Sequence, residues 1–452
     1  VKASVVICGA GIAGIASAYT LARQYGITDV LLVDERAPLS LTSDKSTECY
    51  RNWWPGPGDA MVGMMNRSID LIEDLARECG NLFHLNKRGY LYTSARPDGA
   101  TALRAFAEEA SGLGAGEFRE HVAGSKSYIA HLAEGFEQPV SGADLLLDAD
   151  LIQAHFPYLS AEINAALHVR RAGWLSAQQF GQYMLDEARA MGVELISDRM
   201  VAVAVEGGRV SGVTLQRGGR VNTNAFLNAA GPLLGEIAAL LGVGLPVYNE
   251  LHLKASIEDS AGALARTAPL VIFNDLQTLE WSADECAMLA DDPEAAWLLG
   301  ELPAGAHTRP EGVGAATSIL MLWDVHEEAV EPVFPPEMDA MYAELALRGL
   351  SRMIPGFKTY LERLPQPWLD GGYYTKTREN RPLAGPLGVE GAYLIGAMSG
   401  YGIMASMGMA ELVAAHIAGG VLPDYAPAFM LERYAQPAYQ AQLENWGASW
   451  QL

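Results

Sequence analysis

Gly9, Gly11 and Gly14 stand at G-x-G-x-x-G spacing in GAGIAG, between the apolar run VVIC at 5–8 and the stretch IASAYTLARQYG. The first glycine permits a tight turn, the second lets backbone approach a pyrophosphate, and the third lets a helix pack on the preceding strand. The helix N-terminus then offers free N–H groups and a positive dipole end to an anion. Asp34 ends the run VLLVD and lies 20 residues beyond Gly14, where an acid accepts hydrogen bonds from a ribose diol. Strand, glycine turn, helix and acid in register predict one dinucleotide site. GLGAG at 112–116 has neither the strand nor the spacing, so a second nucleotide site is not expected.

Residues 46–54, STECYRNWW, set Arg51 among Tyr50, Trp53 and Trp54. A cation in an aromatic cluster is either a packed cation–π contact or a dry box for a small anion. A guanidinium fork matches a carboxylate. Farther on, His252 and Lys254 in LPVYNELHLKASI alternate onto one face of a strand. A histidine there could accept an amine proton or steer a substrate; a solvent-facing pair fits the spacing equally well.

The elements that position these residues are legible as patterns. GDAMVGMMNRSIDLIEDLARECG reads as a helix with Met61, Met65, Ile72 and Leu75 inward, and KRGYLYTS at 87–94 as strand. LSAQQFGQYMLDEARAMGVEL reads as a helix with Phe180, Met184, Ala188 and Met191 on one stripe. RMVAVAVEGGRVSGVTLQRGGRVNTN contains three alternating runs divided by GG turns, a β-meander. It leads into AFLNAAGP, whose Ala229, Ala230 and Gly231 are small enough for a cofactor to lie against the backbone.

Composition narrows the function class. At 452 residues the chain is long for one core, and 50% hydrophobic residues mark it as globular. Lys+Arg number 31 against Asp+Glu 54, a net charge of −23, which argues against nucleic acid or an anionic membrane as partner. A local pocket can still oppose that field and take a small anion. Four cysteines without CxxC spacing predict no disulfide framework and no metal site, and suit a reducing, cytoplasmic setting. VKASVV reads at once as strand, so no signal peptide is expected. The uncharged stretch 391–410 is about long enough to span a bilayer, but Gly391, Gly396, Gly400, Gly402 and Gly408 favour strand, turn and helix, and no membrane span is expected.

These motifs, in this order over most of the chain, resemble the FAD-dependent amine and amino-acid oxidases typified by D-amino-acid oxidase, glycine oxidase and sarcosine oxidase. The C-terminal block carries the resemblance furthest. Thr377, Glu379, Pro382 and Gly385 match a T-x-D/E-x-x-P-x-x-G turn, AYLIGA a strand, and Ser399-Gly400-Tyr401-Gly402 a glycine turn opening a helix near Ile403. A helix N-terminus there suits the negative charge of a reduced flavin. The resemblance implies an α/β fold: a Rossmann-like FAD-binding domain interleaved with an α+β substrate domain whose sheet is mostly antiparallel. The expected boundaries are 1–85, 147–245 and 366–452 for the FAD-binding domain, and 86–146 and 246–365 for the substrate-binding cap.

The implied FAD contacts are Gly9, Gly11, Ile12, Ala13, Gly14, Asp34, Glu35 and Arg36. They continue through Ser43, Lys45, Ser46, Thr47, Val201, Ala229, Ala230 and Gly231, and end at Gly372, Gly396, Ser399, Gly400, Tyr401, Gly402, Ile403 and Met404. The implied reaction is oxidation of a C–N bond by hydride transfer to flavin N5, giving an imine that hydrolyses. The substrate is a small amino acid or secondary amine with a carboxylate, and oxygen or an electron-transfer partner takes the electrons. Two family anchors for that carboxylate are missing: aligned positions hold Tyr374 in place of an arginine and Met404 in place of a lysine. Arg51 is therefore the expected anchor, with Lys376 or Arg378 as a second charge or as solvated turn residues. Tyr50, Tyr374, Tyr401, His252 and Lys254 are candidate pocket residues. The cysteine that carries flavin in sarcosine oxidase falls at Gly372, so FAD is expected to be held non-covalently; a link through Cys49 is the chemical alternative. A non-catalytic flavin-binding assembly factor or subunit of an oxidoreductase complex is the second reading, and the chain as oligomer or complex subunit is compatible with both. An NAD-dependent dehydrogenase would leave LNAAGP and the SGYGIM turn unexplained.

Overall fold

The computed structural model describes residues 2–325 and 328–446. Val5–Cys8 is central to the first sheet, whose strand order is Leu383–Pro386, Ala392–Gly396, Phe226–Asn228, Val5–Cys8, Val30–Asp34, Glu194–Ser197. All pairings are parallel except the one between Leu383–Pro386 and Ala392–Gly396. Such a sheet needs cover on both faces. Val5 and Ile7 point to a helical layer that includes Ile12–Tyr25, Ala60–Glu78, Ala177–Met191 and Gly402–Ala418. Val6 and Cys8 point to the meander Met200–Glu206, Arg209–Leu215, Gly219–Val221, which buries Val203, Val210 and Val213 against them. The meander's first turn uses Gly207 and Gly208 with φ of 61° and 85°, the conformation a tight hairpin needs.

The segment Ser399–Ala418 is long and apolar enough to cross a membrane, yet most of it is buried inside the protein. Its helix packs on Ile12–Tyr25 and Ala60–Glu78.

A nine-stranded sheet forms the second layer system, in the order Trp368–Lys376, Tyr248–Glu258, Ser318–Leu322, Ala306–Pro310, Leu270–Phe273, Tyr90–Ser94, Ala165–Val169, Ala143–Leu146, Phe118–His121. Only the Leu270–Phe273/Tyr90–Ser94 and Phe118–His121/Ala143–Leu146 pairs are parallel. One face packs on helix Tyr342–Met353. The other carries Tyr90, Tyr92, Leu270 and Ile272 toward the helical layer. Alternation along Tyr248–Glu258 sends Ala255 and Ile257 to the first face, so Glu250, His252 and Lys254 lie on the second.

Strand pairing corrects the expected boundaries at two places. Ala165–Val169 and Trp368–Lys376 fall within the segments assigned to the FAD-binding domain, but both pair in the nine-stranded sheet. The tail is corrected too. A docking helix expected over 423–452 is instead two short 3-10 turns, Ala426–Phe429 and Leu431–Ala435, then the helix Pro437–Glu444; prolines at the start of the first turn and of the helix break the run. Residues 447–452 of that expectation lie outside the described residues.

The tail is clasped to the 377–382 turn. Arg433 donates to Glu379 Oε1 (2.8 Å), to the Pro382 carbonyl (2.8 Å) and to the Arg381 carbonyl (3.1 Å). The Tyr434 and Tyr439 hydroxyls donate to the same Glu379 oxygen at 2.6 and 2.9 Å. Burial pushes the Glu379 pKa up, but Arg433 and the tyrosine hydroxyl outweigh it and hold the carboxyl below its ordinary value.

A Cβ on Gly14 would fall 1.9 Å from the Gly9 carbonyl oxygen, whereas one on Gly244 would meet open space. Gly14→Ala is therefore expected to cost about 1–3 kcal/mol in thermal unfolding, and Gly244→Ala to change stability by less than about 0.5 kcal/mol. Glu379→Gln strands the buried Arg433 charge and is expected to cost about 3 kcal/mol at neutral pH. Because the folded pKa is lowered, the carboxylate's contribution is complete above its unfolded value of about 4.3 and fades as pH falls through the folded one. The gap between wild type and Glu379→Gln in acid-unfolding curves should narrow accordingly.

Candidate cofactor and substrate site

The turn after Val5–Cys8 is built by close backbone approach. Gly9 has φ 108°, and a Cβ there would lie 2.3 Å from the Ala229 carbonyl oxygen. The Ile12 N–H, at the start of its helix, donates to Ser43 Oγ at 2.9 Å. Asp34 accepts from the Ala10 N–H (2.7 Å) and the Arg36 N–H (2.9 Å). Burial nevertheless outweighs these donors and pushes its pKa above the ordinary value.

One cavity joins these residues to the far end of the sheet. It is lined by Gly9, Gly11, Ile12, Ala13 and Asp34, then by Ala37, residues 39–43 and Ser46, then by residues 229–232, 373–375, 395–400, and finally Gly402 and Ile403. A groove sharing Gly9, Asp34 and Ala230 extends it past Glu35, Arg36 and Val201. At the other end Gly400 lies against Tyr374, so closely that a Cβ would sit 2.5 Å from the ring. Ala397 and Ser399 hold left-handed φ of 53° and 46°. Side chains other than glycine adopt that conformation at a cost, and such positions cluster where a ligand is held.

This shape fits FAD. Gly9 to Gly14 with Ser43 would hold the pyrophosphate, and Asp34 the ribose, with Glu35, Arg36 and Val201 in the groove beyond. Residues 229–231 would lie under the middle of the molecule, and the 396–403 turn would face the flavin.

Other expected contacts lie off the cavity wall. Gly14 serves helix packing rather than lining. The Lys45 ammonium is paired with Asp370 (2.8 Å) and Asp44 (3.2 Å), and Gly372 is packed on the Lys45 side chain. The Thr47 carbonyl accepts from Arg309 Nε at 2.8 Å. Met404 and Tyr401 are buried; the Tyr401 hydroxyl donates to the Asn380 carbonyl at 2.8 Å. Tyr50 donates to the Asn86 carbonyl at 2.8 Å. Cys49 is buried, donates to the Thr47 carbonyl at 3.3 Å, and burial pushes its pKa up to about 11. It stays a thiol, which does not favour a flavin link.

Of the expected substrate contacts, only Tyr374 lines the main cavity. Arg51 is buried 4.3 Å over the Trp54 ring and donates from Nε to the Trp53 carbonyl (3.1 Å). Trp54 stands edge-on to Tyr401 at 4.9 Å, so Arg51 lies two rings behind the 399–401 turn. The Lys254 ammonium, its pKa lowered by burial, donates to the Asp44 and Ser46 carbonyls and pins the loop that lines the cavity. Lys376 is bonded to Glu250 and is not a solvated turn residue. His252 faces Glu250 with one ring nitrogen and Asp324 with the other, which corrects the expectation that it accepts an amine proton: both nitrogens donate.

Some residues lining the cavity, and buried polar residues in the layer behind it, escaped the sequence patterns. The loop 37–42, rich in small and polar residues, lines the cavity. Arg309 is buried, within 3.0 Å of Glu311 and 3.9 Å of Glu48. His307 is on the same strand face as Arg309, two residues away. Its Nδ1 meets the Gly305 carbonyl at 2.7 Å, and burial holds its pKa below the ordinary value. Position two residues before Arg309 in AHTRP was the one available signal.

Residues 4–416 match the family described as DAO, FAD dependent oxidoreductase. No curated protein matches by sequence. Among solved structures, L-proline dehydrogenase from P. horikoshii is 18% identical with a TM-score of 0.72, covering 96% of this chain and 98% of that one. Glycine oxidase from Geobacillus kaustophilus is 16% identical with a TM-score of 0.72, over 96% and 99%. Iminodiacetate oxidase from Chelativorans sp. BNC1 is 16% identical with a TM-score of 0.67, over 94% and 98%. These likenesses establish a shared fold, and with the family match spanning most of the sequence, the chain belongs to the DAO family of FAD-dependent oxidoreductases.

Proposed function

We propose that this protein oxidises the C–N bond of a small amino acid or secondary amine bearing a carboxylate, of the sarcosine, imino-acid or iminodiacid type, with FAD held non-covalently. The reading is supported by one observation above all: a cavity of cofactor shape ends at Tyr374 and the strained 396–403 turn, with buried cations in the layers behind it. Similar folds belong to a proline dehydrogenase, a glycine oxidase and an iminodiacetate oxidase, which supports the same substrate class. When bound, FAD supplies the two-electron acceptor. Oxygen or an electron-transfer partner then takes the electrons onward. The free thiols Cys8, Cys49, Cys79 and Cys286 fit a reducing cytoplasm.

The chain's own part is to bind, orient and dry the substrate. Arg51 is the carboxylate anchor in this reading. Trp54 and Tyr90 wall its guanidinium at 4.3 and 5.6 Å. On the strand of Tyr90 the Tyr92 hydroxyl is buried without a hydrogen-bond partner, as is Trp53 Nε1 two residues from Arg51. Buried donors of that kind are rare unless something else satisfies them. An entering carboxylate would offer both an acceptor. His307, kept neutral by burial with Nδ1–H held by the Gly305 carbonyl, presents Nε2 as acceptor for the proton an ammonium must lose.

Anaerobic addition of N-methyl amino acids, proline-like imino acids and iminodiacids to the yellow holoenzyme should bleach the flavin band with at least one of them; a holoenzyme that none bleaches would turn the weight to a non-catalytic flavoprotein. Arg51→Gln is expected to lower kcat/KM about 100-fold for that compound, the value of a buried charge-assisted hydrogen bond, while the matching amine without a carboxylate loses little. Equal losses for both would remove Arg51 from the anchor role. Acid precipitation should release all the FAD into the supernatant.

A further inference from the structure

Four charged side chains form a row beneath the cavity. Lys376 Nζ donates to Glu250 Oε2; that oxygen is 3.0 Å from His252 Nε2; and His252 Nδ1 is 2.6 Å from Asp324 Oδ1. An imidazole with a carboxylate at each nitrogen holds both protons and is a cation. Its ring stacks on Tyr374, with centroids 4.0 Å apart and planes 14° from parallel. Gly400 closes on the Tyr374 ring too, since a Cβ there would sit 2.5 Å from it. The phenol is thus confined between an imidazolium and the turn that would face the flavin. A cation against the ring draws on its π-density and acts against the burial and the Asp324 charge that hold the Tyr374 phenol well above its ordinary pKa.

We propose that His252 is a positioning residue that fixes the Tyr374 ring and polarises its hydroxyl, so that Tyr374 donates a hydrogen bond to the substrate carboxylate as a second contact beside Arg51. This rests on the proposed reading of the cavity as the site of a carboxylate-bearing amine. Tyr374 then takes the place of a direct second cation. The contact depends on the charge of His252, and the groups around that ring come from several elements. Glu250 and Lys254 share its strand, and Asp324 follows the strand Ser318–Leu322. Tyr374 and Lys376 lie on the paired strand, His307 on Ala306–Pro310, and Tyr342 on its helix. Glu328, Glu337 and Asp339 line a neighbouring pocket with it. Burial disfavours the charged ring, but Asp324 and Glu250 outweigh it against the opposing Lys376, and the pKa is raised. The contact is therefore complete at about pH 6.5, the ordinary histidine value, and is lost as pH rises through the raised one.

The test uses propionate, a carboxylate without an amine, titrated into oxidised holoenzyme and read from the perturbed visible flavin band. Wild type should bind it with a Kd that rises as pH climbs from about 6.5. His252→Gln should bind it about tenfold more weakly, with no such rise. Tyr374→Phe should show a similar loss. Asp324→Asn keeps the imidazole but removes one clamp, so the rise should move to lower pH, which a merely structural role would not produce. An unchanged Kd and pH profile in His252→Gln overturns the proposal, as does wild type that propionate never perturbs. If propionate behaves as expected and no amine bleaches the flavin, the proposed reaction fails while this contact stands.

Discussion

The contact between two pieces of backbone governs this molecule: the Gly14 Cα stands over the Gly9 carbonyl, and Gly9 over the carbonyl of Ala229. Helix Ile12–Tyr25 can start at the end of Val5–Cys8, and Phe226–Asn228 can pair beside it, only because no Cβ intervenes. The helix start then points its N–H groups along the cavity, and the helix body becomes the surface on which Gly402–Ala418 packs. That second helix fixes the 396–403 turn at the opposite end. Both ends of the cavity are thus referred to the same close approach.

Much of the cavity lining was legible because those residues are local. GAGIAG, Asp34, residues 229–231 and the SGYG turn each declare themselves within a few positions, since backbone conformation and small size are read directly from glycine and alanine. The three-run meander was legible for the same reason: alternation and paired glycines are short-range signals. Domain boundaries were not. Whether Ala165–Val169 joins one sheet or the other depends on its partner Tyr90–Ser94, far away in sequence, and nothing in AALHV states it.

Substrate-side residues were hardest to read because their meaning lies in partners. His252 looks like any histidine on a strand. Its partner Asp324 is 72 residues on, and Lys376 meets Glu250 across 126 residues. Arg51 was legible as an oddity, a cation among tryptophans, and the structure explains how it is tolerated there: ring faces and a carbonyl stand where water would be. Burying an ion is costly unless such contacts replace hydration.

The row Lys376, Glu250, His252, Asp324 alternates in sign, and this decides what it can do. Two cations and two carboxylates at bonding distance leave little net field a few ångströms away, since each charge is cancelled by its neighbour. The row therefore cannot draw an anion into the cavity as an isolated arginine would. What it can do is act at contact, and the Tyr374 ring, which lines the cavity, stacks on its inner cation. In the proposed reading attraction and orientation are then separate tasks on this face: Arg51 would attract a carboxylate, while Tyr374, held by a charge whose field is otherwise spent, would set the angle at which it rests.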